Sequence, residues 1–165
     1  MKVVCNASPL ISLARLDQLA LLPTLFGEVQ IAAEVYQEVV VAGAGRPAAQ
    51  AVQAAAWLRV QPCPDPAKLA EWRIRHPLGL GELATVLLAQ SLKADLVVID
   101  ERAARRLAAQ QGLKVIGCVG ILEAGHRQGL VAELRGAYAQ MLAVGVRVHP
   151  EILNRSLAAF GLKPL

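Results

Sequence analysis

The feature that most constrains this chain is a series of short, unbroken apolar runs separated by helical patterns. Runs of strand length lie at Lys2–Cys5, Val29–Ile31, Trp57–Gln61, Asp95–Ile99 and Lys114–Ile116. Val3-Val4-Cys5 and Leu96-Val97-Val98-Ile99 are apolar at every position rather than every second one. A strand needs that only when both of its faces are buried. Between the runs lie helical patterns at Pro9–Leu22, Ala32–Val41, Pro47–Ala56, Gly81–Lys93 and Glu101–Gly112. Strands alternating with helices build βαβ units, so the pattern predicts an α/β fold with a mostly parallel sheet of four or five strands, covered on both faces.

After Ile116 the pattern turns helical throughout, at Val119–His126, Val131–Leu142 and Pro150–Phe160. The last begins on a first-position proline and stops at Gly161. Leu153, Leu157 and Phe160 form one apolar stripe on it, which either closes the core or meets a partner. Gly43–Gln50 and Pro62–Pro66 read as mobile loops. The expected organisation is one domain over residues 1–140 with a helical C-terminal extension, 141–165, packed on it.

Composition excludes several classes. At 165 residues with 55% hydrophobic content and a mean hydropathy of +0.44, the chain is long and apolar enough to bury a core, which excludes disorder. Its longest charge-free stretches, Val3–Ala14 and Pro47–Leu58, are too short to cross a bilayer. No signal-peptide layout opens the sequence. The expectation is a soluble, cytoplasmic protein with no membrane contact. Cys5, Cys63 and Cys118 are odd in number and form no CxxC pair, and His76, His126 and His149 lack zinc-ligand spacing. That argues against a disulfide framework and a zinc centre. The net charge of +4 is a mild excess that favours polyanions without identifying one.

The acids are more informative by position. In an open parallel sheet, ligands bind beyond the carboxyl ends of the strands. Asn6 follows the first apolar run directly, and Asp100 follows the fourth. Glu82 lies in the first turn of the helix that leads into that fourth strand. Topology alone thus brings Asn6, Glu82 and Asp100 to one rim, with Glu101 adjacent. Each has a simpler explanation: Asp100 could cap the following helix, and Glu82 suits a first turn through the helix dipole. For Asn6 that explanation is weaker, because Ser8-Pro9 already supplies a cap and a first-turn proline.

Clustered carboxylates stay ionised when a cation lies between them. Hard oxygen donors select Mg²⁺ or Mn²⁺, and such a site performs phosphoryl chemistry. Arg102, Arg105 and Arg106 share one helical face beginning beside Asp100, a rail for phosphates or simply a solvated face. No Walker lysine, nucleophile elbow or Ser/His/Asp set is present.

Five segments taken in order resemble one family. Val4-Cys5-Asn6-Ala7-Ser8-Pro9-Leu10 is similar to the opening of PIN-domain proteins, where strand one ends in an Asp followed by a Ser or Thr. Val35-Tyr36-Gln37-Glu38-Val39, Leu80-Gly81-Glu82-Leu83-Ala84, Val98-Ile99-Asp100-Glu101-Arg102 and Val115-Ile116-Gly117-Cys118-Val119 resemble the segments that follow, over roughly residues 1–140. The prokaryotic branch that includes VapC-type toxins is the most similar.

The resemblance implies a three-layer α/β/α sandwich and a Mg²⁺- or Mn²⁺-dependent ribonuclease acting on RNA. It also implies a homodimer and, for many members, a small antitoxin partner. It assigns the acidic set to Glu38, Glu82 and Asp100 with Asn6 completing it. Asn6, Glu82, Asp100 and Glu101 would be metal ligands, and Ser8 would join Arg102, Arg105 and Arg106 against RNA. Glu38 is chosen by the resemblance alone. In a helix starting near Ala32 it lies ~9 Å along the axis, and Glu34, one turn earlier, is its rival.

The chain departs from the family at Asn6, where a carboxamide stands in place of the first-strand Asp. Asn offers a metal ligand oxygen without the charge that attracts the cation. Three readings stay open: a nuclease of reduced activity, a catalytically silent module that binds RNA or protein, and a chain altered at one residue. A receiver-like or phosphatase-like domain is a further alternative, but Asn6 removes its best phosphate-accepting Asp.

Overall fold

Val3, Val4 and Cys5 have no exposed surface, so the strand they form needs a neighbour on each side and helices on each face. In the computed structural model, which describes residues 1–165, it has both. The strands β1 (Val3–Cys5), β2 (Val29–Ala32), β3 (Leu58–Gln61), β4 (Leu96–Val98) and β5 (Val115–Ile116) form one sheet. Their order is β3-β2-β1-β4-β5, and every neighbouring pair is parallel. β1 lies in register with β4, Val3 opposite Leu96 and Cys5 opposite Val98. The chain builds outward from β1 on one side, then returns to add β4 and β5 on the other. The gap beyond β1 and β4 is therefore the topological switch point, where open α/β sheets bind ligands.

Ten α-helices flank the sheet on both sides: α1 (Ala7–Arg15), α2 (Leu21–Phe26), α3 (Ala33–Tyr36), α4 (Pro47–Gln53), α5 (Pro66–Arg75), α6 (Leu80–Leu92), α7 (Arg102–Gln110), α8 (Cys118–Arg127), α9 (Leu134–Ala143) and α10 (Pro150–Ala159). α6 packs on β1, β2 and β4 and is itself covered by α3, α5 and α7, which is why every residue from Leu83 to Ala89 is buried. α1, α2 and α8 pack together away from it. None of these helices is long and apolar enough to cross a membrane.

Four local expectations need correction. Pro9–Leu22 is not one helix: α1 ends at Arg15, Asp17 takes a left-handed φ of 55°, and α2 starts at Leu21. Asp is among the few residues that tolerate that conformation. The cap of α1 is Asn6, not Ser8; Asn6 has the extended backbone of a cap, yet its side chain makes no capping bond. Pro62–Pro66 leads into a helix that periodicity did not suggest. α5 is started by Asp65, whose Oδ1 accepts the Lys68 N–H at 3.0 Å, and by Pro66 in its first turn. Only Leu69 and Trp72 anchor it, too few apolar residues for a clear helical stripe. Likewise Gly43–Gln50 is a turn only as far as Arg46, with α4 starting at Pro47.

The last helices join the same core. Leu153 and Leu157 are fully buried within it, and Phe160 packs against it. A polar chain adds direction: Tyr138 of α9 bonds Ser156 of α10 at 2.6 Å, and the Ser156 hydroxyl donates to Glu123 of α8 at 2.6 Å. Buried polar groups that lose a partner bear the full cost of desolvation. Ser156→Ala should therefore lower stability by about 1–3 kcal/mol, measured by urea unfolding. An unchanged midpoint would mean that water already serves these groups.

Candidate active site at the carboxyl edge of the sheet

Asn6 ends β1 and is 1% exposed. Its backbone N–H donates to Val98 at 2.9 Å, tying the end of β1 to the end of β4. Its side chain faces Thr85 of α6. The Thr85 hydroxyl has one proton and two oxygens before it, the Gly81 carbonyl at 2.7 Å and Asn6 Oδ1 at 3.3 Å. The shorter contact takes the proton. A carboxamide can then turn its NH₂ group to the hydroxyl lone pair, which a carboxylate cannot do. Thr85 is a residue that sequence reasoning missed. The available signal was its position one turn after Gly81 and Glu82 on a helix aimed at this rim.

Glu38 reaches the same place by an irregular route. After α3 the chain runs through a π-helical turn, Gln37–Val41, closed by Ala42 N–H donating to Gln37 at 2.8 Å. Such turns are uncommon and recur at functional sites. Glu38 points to the first turn of α6: a Cβ placed on Gly81 would lie 2.8 Å from Glu38 Oε2 and 3.9 Å from Asn6 Oδ1. Glycine at 81 is thus what lets Glu38 approach the helix start, beside Asn6. Partial burial, and then the negative charge of Glu82, push the Glu38 carboxyl above its usual range. Glu34, the rival position, has one buried oxygen without a hydrogen-bond partner and lies near Cys63 instead, a thiol that burial, and to a lesser degree the Glu34 charge, push up.

Glu82 is half-buried, and one of its oxygens is engaged: Oε2 accepts the Gly79 N–H at 2.9 Å, capping α6 from its third residue. Asp100 does not cap the helix after it, whose cap position is Glu101. Its Oδ1 instead accepts the Cys118 N–H at 2.7 Å, at the start of α8, where the helix dipole favours an anion. Gly117 keeps this approach open, since a Cβ there would lie 2.7 Å from Asp100 Oδ1 and 2.9 Å from Arg105 Nη1. Burial, followed by the charge of Asp100, pushes the Cys5 and Cys118 thiols well up, so neither is a nucleophile near neutral pH.

The basic residues are distributed differently from the sequence expectation. Arg105 donates to the Ile99 carbonyl at 2.8 Å and lies beside Asp100, whereas Arg102 and Arg106 are exposed and line none of the three clefts at this rim. Three other arginines line them. One cleft holds Glu38, Arg46 and Arg15. The next holds Arg15, Ser8, Asp100, Glu101 and Arg147. The third holds Asp100, Arg105 and Arg147. Because neighbouring clefts share Arg15 or Arg147, they form one track across the carboxyl edge. No local signal linked Arg147 to Asp100, because the two meet only through the tertiary fold.

A family model described as a PIN domain matches residues 2–161. The chain belongs to the PIN-domain family. No curated protein matches it. In this PIN domain no three Asp, Glu, His or Cys side chains are close enough to cage a metal ion. Magnesium, however, is commonly held by one or two carboxylates with water and substrate phosphate filling the rest. The Glu38–Glu82 pair fits that mode: one carboxylate raises the other, and neither joins any of the three ion pairs of the fold.

The repulsion between these two acids can be measured. A raised carboxyl pKa contributes stability that is complete below the unfolded pKa and is lost as pH rises through the folded one. Glu82→Gln should bring the Glu38 titration, followed by carbon NMR, back toward the ordinary range and reduce that alkaline loss. A Glu38 titration unmoved by the substitution would place its cause in burial alone.

Proposed function

We propose that this PIN domain is a divalent-metal-dependent endoribonuclease whose activity is limited by the carboxamide at Asn6. The observation that carries the reading is the Glu38–Glu82 pair, two like charges without a cationic side chain between them, at the switch point of a parallel sheet. We assign the metal to the Glu38–Glu82 pair, with Asn6 contributing an oxygen; Asp100 and Glu101, at the same rim, would act on it through bound water or substrate phosphate. Mg²⁺ or Mn²⁺ would supply charge neutralisation and an activated water. The chain's own contribution is placement. Cys118 N–H and Gly79 N–H each fix one carboxylate oxygen, of Asp100 and Glu82, and leave the other for binding. Ser8, Arg15 and Arg105 line the rim where a phosphodiester would lie, while Arg102 and Arg106 extend positive charge along α7.

The biological role we favour is that of a toxin restrained by a small antitoxin protein, in the manner of the VapC-type branch, with a second copy of the chain as a further partner. It rests on the order of the sequence segments. Growth arrest on induced expression in a bacterium, relieved by Asp100→Asn, is the result expected of it.

One observation favours a second reading. Asn6 is buried with its uncharged side chain against the Thr85 hydroxyl, a setting that does not call for a first-strand acid. A silent RNA-binding module would show salt-dependent binding without turnover.

Asn6→Asp separates the two. It adds a buried carboxylate beside Glu38, so in EDTA its melting temperature should fall below that of the parent. Mn²⁺ should restore it, and cleavage of single-stranded RNA should rise with Mn²⁺ and vanish with EDTA. Absence of metal-dependent cleavage in both proteins, and of metal rescue of the variant's melting temperature, would remove the enzymatic reading.

A further inference from the structure

The segment between α9 and α10 is the least regular wall of the rim. Val144–His149 turns at Gly145, with φ 79°, and is pinned to the body of the domain by Arg15, whose guanidinium donates to the Val144 carbonyl. It carries Arg147 into two adjoining clefts that differ in character. On one side is a cleft of about 300 Å³ with mainly polar walls, Ser8, Ser12, Arg15, Asp100, Glu101 and Arg147. On the other is a larger one, about 490 Å³, walled by Val115, Ile116, Val146, Val148 and Ile152, with Arg105, Glu123 and His149 at its polar points. Both clefts are also bounded by Asp100.

We infer that these paired clefts bind a single nucleotide unit of the RNA, its phosphate against Arg15 and Arg147 and its base in the apolar cleft, with the 144–149 segment as the divider that sets which unit lies beside Asp100. This deepens the nuclease reading and rests on it for the identity of the polymer. The occupant is specified by the chemistry of the two halves. Guanidinium groups recognise phosphate oxygens in geometries that few other side chains match. A cleft with apolar walls and a few hydrogen-bonding groups is the form that takes a small planar ligand, and its volume lies in the ordinary range for such sites. Unpaired bases of single-stranded RNA are read by splaying them into pockets and bonding their edges. The absence of an aromatic wall makes hydrogen bonding at Arg105, Glu123 and His149, rather than stacking, the source of any base preference. Continuity with Asp100 ties the unit to the reacting end of the site.

The test needs no metal and no turnover. The protein is titrated with each of the four nucleoside 5′-monophosphates, with ribose 5-phosphate and with inorganic phosphate, and binding is followed by backbone amide NMR. Nucleotides should shift signals on both sides of the divider, at Val115–Gly117 and at Gly145–Val148, while ribose 5-phosphate should shift only the second group. Arg147→Ala should weaken both ligands by about tenfold, since roughly 1.4 kcal/mol corresponds to that ratio. Ile152→Trp, at a half-exposed position, should fill the apolar cleft and weaken nucleotides while leaving ribose 5-phosphate unchanged. Equal binding of nucleotide and ribose phosphate, or indifference to Arg147→Ala, would overturn the inference. If the protein passes these titrations but never cleaves RNA, the catalytic reading falls and this one stands. If RNA is cleaved equally well by the parent and both variants, the reverse holds.

Discussion

Everything at the rim depends on β1 being paired on both sides. A central strand with both edges satisfied and both faces buried cannot be reached by a ligand along its length. Only its end is open. The Asn6 N–H completes the ladder to Val98, so the last backbone bond between β1 and β4 and the first polar side chain of the site belong to the same residue. α6, which leads into β4, and α8, which follows β5, also start at that edge, and their unpaired N–H groups gather there. Asp100 and Glu82 answer two of those groups, which explains why acids that a metal could use also have local structural duties.

This double duty shaped what could be read from the sequence. The sheet was legible because full burial leaves no freedom: Val3-Val4-Cys5 and Leu96-Val97-Val98 could hardly be anything but central parallel strands. The rim positions of Asn6, Glu82 and Asp100 followed from strand ends and helix starts, which topology fixes without side-chain detail. Less was available where a few contacts decide the structure. α5 hangs on Asp65, Leu69 and Trp72, and the break at Asp17 on one residue's tolerance for positive φ. The cleft arginines were beyond reach for another reason. Arg15, Arg46 and Arg147 come from three separated segments, and only the packed fold makes them neighbours of one track.

The charge balance of the site follows the same logic. Glu38 and Glu82 repel, Asp100 rests on a helix start, and Asn6 is neutral, so the rim holds less negative charge than four acids would give it. The arginines stand beside it rather than within it. A polyanion can therefore approach along the track without first meeting a dense negative field, while the acid pair keeps an affinity for a small hard cation. Affinity for the backbone and affinity for the metal are carried by different residues, and a substitution can alter one with little effect on the other.

The π-helical turn at Gln37–Val41 has a consequence of another kind. It holds its bond five residues apart, from Ala42 back to Gln37, where a regular helix would use four. Removing a single residue there would let the ordinary ladder close, and everything after the deletion would rotate by about 100° relative to what precedes it, the angle of one helical residue. Glu38, on one side of that change, and Arg46 with α4, on the other, would no longer face a common cleft. Among related chains, then, a gap of one position in this segment would change the site more than many exchanges of one side chain for another. Chain length here acts as a functional variable.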